Sequence, residues 1–218
     1  MAGVGMPPTA PTVVTGADGV ARCWWATETG RDLTGYHDQE WGVPTRDEAA
    51  LFEALVLTYF ENGLSWATVY DKRYDLRRAF RGFEPAAVAA TTRADVERMM
   101  ADASIIRNRR KIEATVHNAR LLAKYSLADL SWQHRPRQHH RLRSWADGRM
   151  TSPESDRLSA ALREVGFQMV GPVVAHSFIQ TVGIENGHFE GCVRASALTT
   201  SPHASSVIWV TSSRRVGS

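Results

Sequence analysis

Four residues of metal-ligating type stand at the two ends of the chain: Cys23 and His37 near the start, His188 and Cys192 near the finish. Two cysteines with two histidines make a tetrahedral zinc set, and three intervening residues put His188 and Cys192 on one side of a turn. Spectator thiols beside a surface histidine, or a single disulfide, fit the same residues; the chain has eight histidines and no other cysteine.

A second constellation is Gly166-Phe167-Gln168-Met169-Val170-Gly171-Pro172-Val173. A helix stopping at Gly166 and restarting with Pro172 encloses a hairpin whose Gly171 lets the backbone approach a ligand. The following helix N-terminus offers unpaired N–H groups to an anion. The pattern suits a helix-hairpin-helix gripping a DNA phosphate, and equally an ordinary helical corner. The third is a concentration of rings in the first third of the chain: Trp24, Trp25, Tyr36, Trp41, Tyr59, Phe60 and Trp66. Such rings build a core, and beside a phosphate grip they also sandwich an extruded base.

The elements that must hold these groups read as helices. Thr45-Arg46-Asp47-Glu48 has the form of a capping box, followed by Leu51, Phe52, Leu55, Val56 and Tyr59 on one stripe. Thr92 caps a second helix carrying Val96 and Met99. A third is expected over 111–125, with Ile112, Val116 and Ala119 buried, and a fourth begins at Ser152-Pro153 and runs through Leu158, Leu162 and Val165. No alternating strand of useful length precedes the tail, so the expected class is all-α. Residues 1–20 read as a flexible leader, 21–194 as the folded domain, and 195–218 as a tail in which only 207–210 suits a strand.

The chain has 218 residues, 43% of them hydrophobic and 22% charged, with a formal charge of +3. That composition excludes a fibrous or disordered protein. No run of 18 apolar residues spans a membrane, and the N-terminus lacks the charged start of a signal peptide, which points to the cytoplasm. The charge is unevenly spread. Residues 104–143 carry ten basic against two acidic side chains, +8, leaving −5 elsewhere. A basic stretch on an acidic body suits a polyanion.

Cys23-Trp24-Trp25, Tyr36-His37-Asp38-Gln39-Glu40-Trp41-Gly42-Val43-Pro44, Gly63-Leu64-Ser65-Trp66, Ile105-Ile106-Arg107-Asn108-Arg109, Gly166-Phe167 and Val170-Gly171-Pro172, closed by His188-x-x-x-Cys192, together resemble the DNA-3-methyladenine glycosylase I (TAG) family over residues 22–193. The resemblance implies a helix-hairpin-helix glycosylase fold with a structural zinc on Cys23, His37, His188 and Cys192. It implies a monomer that excises alkylated bases from double-stranded DNA, with purines alkylated at the 3-position as substrates. Trp25 and Trp66 would stack on the base and Tyr36 would hydrogen-bond it. Leu64 would probe the vacated stack, the hairpin at Gly171 and Val173 would hold phosphate, and Arg107, Arg109 and Arg110 would face DNA.

The sequence departs from that pattern in the pocket. Thr58 stands where the family has a glutamate, and Glu61 falls three residues later, about one helical turn on. Three readings follow: Glu61 supplies the catalytic carboxylate with Thr58 beside it, the pocket takes another or bulkier alkylated base, or the protein binds lesions with little turnover. Tyr59 brings bulk to the pocket wall, and His176 replaces an aromatic after the hairpin. No lysine is placed as a Schiff-base nucleophile, so lyase activity is not expected.

Overall fold

The structure is a computed structural model, and it describes residues 10–196. The chain opens with an antiparallel hairpin of β1 (Val13–Thr15) and β2 (Ala21–Cys23), pairing Val13 with Cys23. Ten α-helices follow among the described residues. They are α1 (Thr34–Gln39), α2 (Glu48–Phe60), α3 (Trp66–Asp71), α4 (Arg73–Ala79), α5 (Pro85–Ala89), α6 (Arg93–Ala101), α7 (Arg109–Leu121), α8 (Leu127–Trp132), α9 (Pro153–Glu164) and α10 (Pro172–Thr181). The all-α expectation holds for the body, and no helix among the described residues is long and apolar enough to cross a membrane.

α2 is the central rod. Leu51, Phe52, Leu55, Val56, Tyr59 and Phe60 are buried on it, and it packs against α7, α8 and α10. Leu158, Leu162, Phe178 and Ile179 complete this main core from the α9–α10 pair. A second, smaller core joins the chain ends: Cys23, Trp25, Ala26, Leu33 and Trp41 pack with Leu142, Phe189 and Cys192. Leu142 and Phe189 also form an isolated parallel bridge.

Several expected boundaries shift, for identifiable reasons. The helix expected to be boxed by Thr45 and Glu48 is capped by Asp47, whose carboxylate accepts from the Ala50 N–H at 2.8 Å. Glu48 instead reaches another helix end, accepting from Ser126 Oγ and from the Leu127 and Ala128 N–H groups at 2.7, 3.0 and 3.1 Å. It satisfies orphan donors of α8 that have no partner within that helix. The helix expected over 111–125 starts two residues earlier, where Asn108 caps it, and ends at Leu121. The leader is not structureless to residue 20, because residues 13–15 borrow a partner strand at 21–23. The strand considered at 207–210 lies outside the described residues.

Candidate active site and metal cluster

α9, a turn and α10 form the expected helix-hairpin-helix. Ser152 caps α9, and Gly171 precedes Pro172 at the first position of α10. Gly166 turns the chain at φ 100°, and Met169 also sits in the left-handed region at φ 63°, a conformation that costs a side chain about 1 kcal/mol. The hairpin is held there from α7 and α9. Asn118 donates to the Gln168 carbonyl at 3.0 Å and accepts from the Gln168 N–H at 2.8 Å; His117 contacts the Gly166 carbonyl, and Ser159 donates to the Val170 carbonyl. Val173 remains 39% exposed beside Gly171.

The link between α2 and α3 carries the second half of the candidate site. α2 ends at Phe60, Gly63 turns at φ 79°, and Ser65 caps α3. Leu64 projects at the tip with 41% of its surface exposed. Lys111 secures this end by donating to the Phe60 and Asn62 carbonyls at 2.7 and 2.6 Å. A cation at a helix C-terminus is favoured there, although burial lowers the lysine below its ordinary range. The amine is thereby bound to backbone and is no free nucleophile.

Around this tip stand the rings. Tyr36 lies 5.6 Å from Trp66 and 6.3 Å from Trp25, centroid to centroid. Tyr70, one turn after Trp66, stacks on it at 4.7 Å and meets Tyr36 edge-on at 5.2 Å. The Arg73 guanidinium lies over both tyrosines, 4.8 Å from Tyr70 and 5.5 Å from Tyr36, and pairs with Glu40 at 2.7 Å. Glu61 belongs to the same neighbourhood: its charge acts on the Tyr36 phenol, which burial chiefly, and Glu61 in part, raises above its ordinary range. Burial pushes the Glu61 carboxyl up to about 7, and no ion pair or side-chain hydrogen bond holds it among the described residues. Tyr70 and Arg73 are not among the candidates the sequence offers, and Glu40 enters there only as part of the Tyr36–Pro44 motif. The signal for Tyr70 was its spacing of four from Trp66 on a helix.

Not every candidate joins this cluster. The Thr58 hydroxyl is turned back, donating to the Ala54 carbonyl at 2.7 Å. Tyr59, expected at the base, is fully buried, with its hydroxyl 2.5 Å from Thr115 Oγ1; the residue belongs to the main core because its ring faces α7. Trp25 is 5% exposed and packs on His37 and Trp41 as well as Tyr36, so it backs the pocket from the second core. His176 is buried and contacts Gln180 Nε2 at 3.3 Å and Glu185 at 3.8 Å, with no ring contact to Tyr36, Trp66 or Tyr70 among the described residues. Of the three arginines before and in α7, Arg109 is neutralised by a two-point pair with Glu97, whereas Arg107 and Arg110 make no ion pair among the described residues.

Cys23, His37, His188 and Cys192 converge in full burial, their ligand atoms all within 4.8 Å of one another. His188 Nδ1 lies 3.6 Å from Cys23 Sγ and 3.7 Å from Cys192 Sγ, and His37 Nε2 lies 3.3 Å from Cys192 Sγ. These separations are those of donors around one tetrahedral ion with metal–ligand distances of about 2.0–2.3 Å. The outer groups fit as well. His37 Nδ1 meets Asp38 at 2.7 Å, and Arg22 clamps that carboxylate through two nitrogens, the arrangement that orients a ligating imidazole. Cys192 is held below the ordinary thiol range by the Cys23 thiol and then by both histidines. The cluster could hold a metal, and no disulfide joins the two cysteines.

A pinned hairpin, a ring-lined tip and a buried two-Cys two-His cluster thus sit on one all-α body, and the comparisons with known proteins make that body a glycosylase fold. The methyladenine glycosylase profile matches residues 25–195. DNA-3-methyladenine glycosylase 1 of Escherichia coli is 39% identical over 179 residues, 78% of this chain and 95% of that protein. The DNA-3-methyladenine glycosylase of Haemophilus influenzae is 35% identical, covering 78% and 96%. Among solved structures, a crystal structure of 3-methyladenine DNA glycosylase I (TAG) superposes with a TM-score of 0.72 at 38% identity, over 79% of this chain and 98% of that one. The Staphylococcus aureus enzyme, in a structure addressing 3-methyladenine recognition, gives 0.71 at 31% identity, over 79% and 95%. The chain belongs to the methyladenine glycosylase family.

Proposed function

We propose that this protein is a monofunctional DNA glycosylase that removes purines alkylated at the 3-position from double-stranded DNA, acting as a monomer with Glu61 as the pocket carboxylate. The observation that carries the reading is the half-buried Glu61, which has no ion pair among the described residues and whose charge acts on Tyr36, the ring that Trp66 and Tyr70 flank. A base methylated at that position is cationic in DNA. When its bond to the sugar breaks, the electron pair goes to the base, which leaves neutral. Water then adds to the sugar carbon and loses its proton to solvent. Such a leaving group needs little acid catalysis. It needs ring faces against the cation and an acceptor for its exocyclic amine, and the three rings and Glu61 supply both. Leu64 would occupy the gap left in the duplex, while Gly171 and the N-terminus of α10 hold phosphate.

Zinc on Cys23, His37, His188 and Cys192 would supply folding free energy, since four protein donors leave no coordination position open. The test is release of free base from methylated DNA by wild type, Glu61→Gln and Thr58→Glu. Release by wild type, lost in Glu61→Gln, is expected. No release by wild type, with activity gained in Thr58→Glu, would overturn the assignment.

A further inference from the structure

We infer a second DNA-backbone surface, separate from the hairpin, in the basic concavity formed by residues 135–142 against the metal-cluster segment. The concavity measures about 1090 Å³ and is lined by Arg135, Arg137, His139, His140 and Arg141. Its one carboxylate, Glu190, is taken up by Arg143 at 3.0 Å and Arg141 at 3.7 Å. Arg135 and Arg137 make no ion pair among the described residues, and both are exposed. An arginine fork left unmatched by carboxylates in a concave wall is a receptor for phosphate oxygens.

The wall is also held in place, unlike a solvated charge run. Leu142 accepts from the Glu190 N–H at 2.7 Å, and His139 Nδ1 accepts from the Asn186 N–H at 3.1 Å. That bond leaves the proton on His139 Nε2, a buried donor with no partner among the described residues. His140 meets the Asp147 carbonyl at 3.0 Å, and the Asp147 carboxylate accepts from the Arg143 and Ser144 N–H groups. Exposed arginines with spare donors on a backbone held in this way suit a stiff, regularly charged partner. The charge pattern of the chain therefore resolves into two places: Arg107 and Arg110 near the start of α7, and Arg135, Arg137 and Arg141 beside the metal segment.

This inference rests on the proposed action on DNA. Binding to an undamaged duplex, followed by fluorescence anisotropy across a salt series, tests it separately from catalysis. Replacing Arg135 and Arg137 with alanine together should flatten the slope of log affinity against log salt by about 2, and weaken binding roughly tenfold near physiological salt. Base release at saturating methylated DNA should stay at the wild-type level, and lysine at both positions should restore the slope. An unchanged slope in this pair, with a reduced slope in Arg107→Ala/Arg110→Ala, would overturn the second surface. Loss of base release in wild type would instead overturn the glycosylase reading while leaving the salt measurement interpretable.

Discussion

Glu61 ionises against its surroundings: burial raises its carboxyl to about 7, and Lys111, which reaches the end of α2 from α7, spends its hydrogen bonds on the Phe60 and Asn62 carbonyls. Two consequences follow from that shift. The ionised carboxylate is the stronger acceptor for an amine and the one that stabilises a cationic base, so base release should rise with pH through a midpoint near 7. Glu61→Gln should abolish that inflection and lower the rate about a hundredfold. Stability runs the other way. A carboxyl raised on folding favours the folded state at low pH, and that contribution is lost as pH rises from the ordinary carboxylate range through 7. Urea unfolding should show Glu61→Gln gaining on wild type between pH 5 and pH 8. That Thr58 stands at the expected glutamate position, with Glu61 three residues on, could be read from an ungapped sequence. The turned-back Thr58 hydroxyl, the ring of Tyr70 on Trp66 and the removal of Tyr59 to the core could not, because each depends on what packs against α2 and α3.

At the scale of elements, local chemistry spoke clearly where a cap needs only its own neighbours. Thr92, Ser152, Gly166 and Pro172 all mark ends that the structure keeps. It misled where a side chain leaves its own helix, as Glu48 does, and the β1–β2 hairpin was hidden because three-residue strands in a Pro/Gly/Thr-rich setting show no period. Glu48→Ala should therefore destabilise α8 rather than α2, by about 1–2 kcal/mol in chemical unfolding, because three donors lose a charged acceptor. Asn118 is the corresponding clamp of the hairpin. Its replacement by alanine leaves both backbone groups of Gln168 unpaired and Met169 free to leave its left-handed conformation. A loss of about 2 kcal/mol in stability is expected, with weaker duplex binding measured by anisotropy and unchanged preference among lesions.

Across the whole molecule, the small core of Trp25, Trp41, Leu142 and Phe189 has few residues of its own and is built around the four ligating side chains. If zinc supplies its folding energy, purified protein should carry one equivalent of the metal. Chelation should lower the melting temperature, and Asp38→Asn should reduce metal affinity about 10–100-fold without touching a ligand. A metal-free protein of undiminished stability would reject zinc. The four residues were visible in sequence as types and spacings; that they share one buried point depends on β2, α1 and the segment after α10 meeting.

That meeting has a mechanical corollary. Cys23 and Cys192 bracket the helical body and lie side by side, so tension applied at the two termini would converge on the cluster and its β1–β2 hairpin before reaching any helix. In a single-molecule pulling experiment the metal-loaded chain should hold its length until the cluster parts, then release the helical body in one long step. With the metal stripped, the same body should give way at lower force, making the ion a latch on the chain's extension.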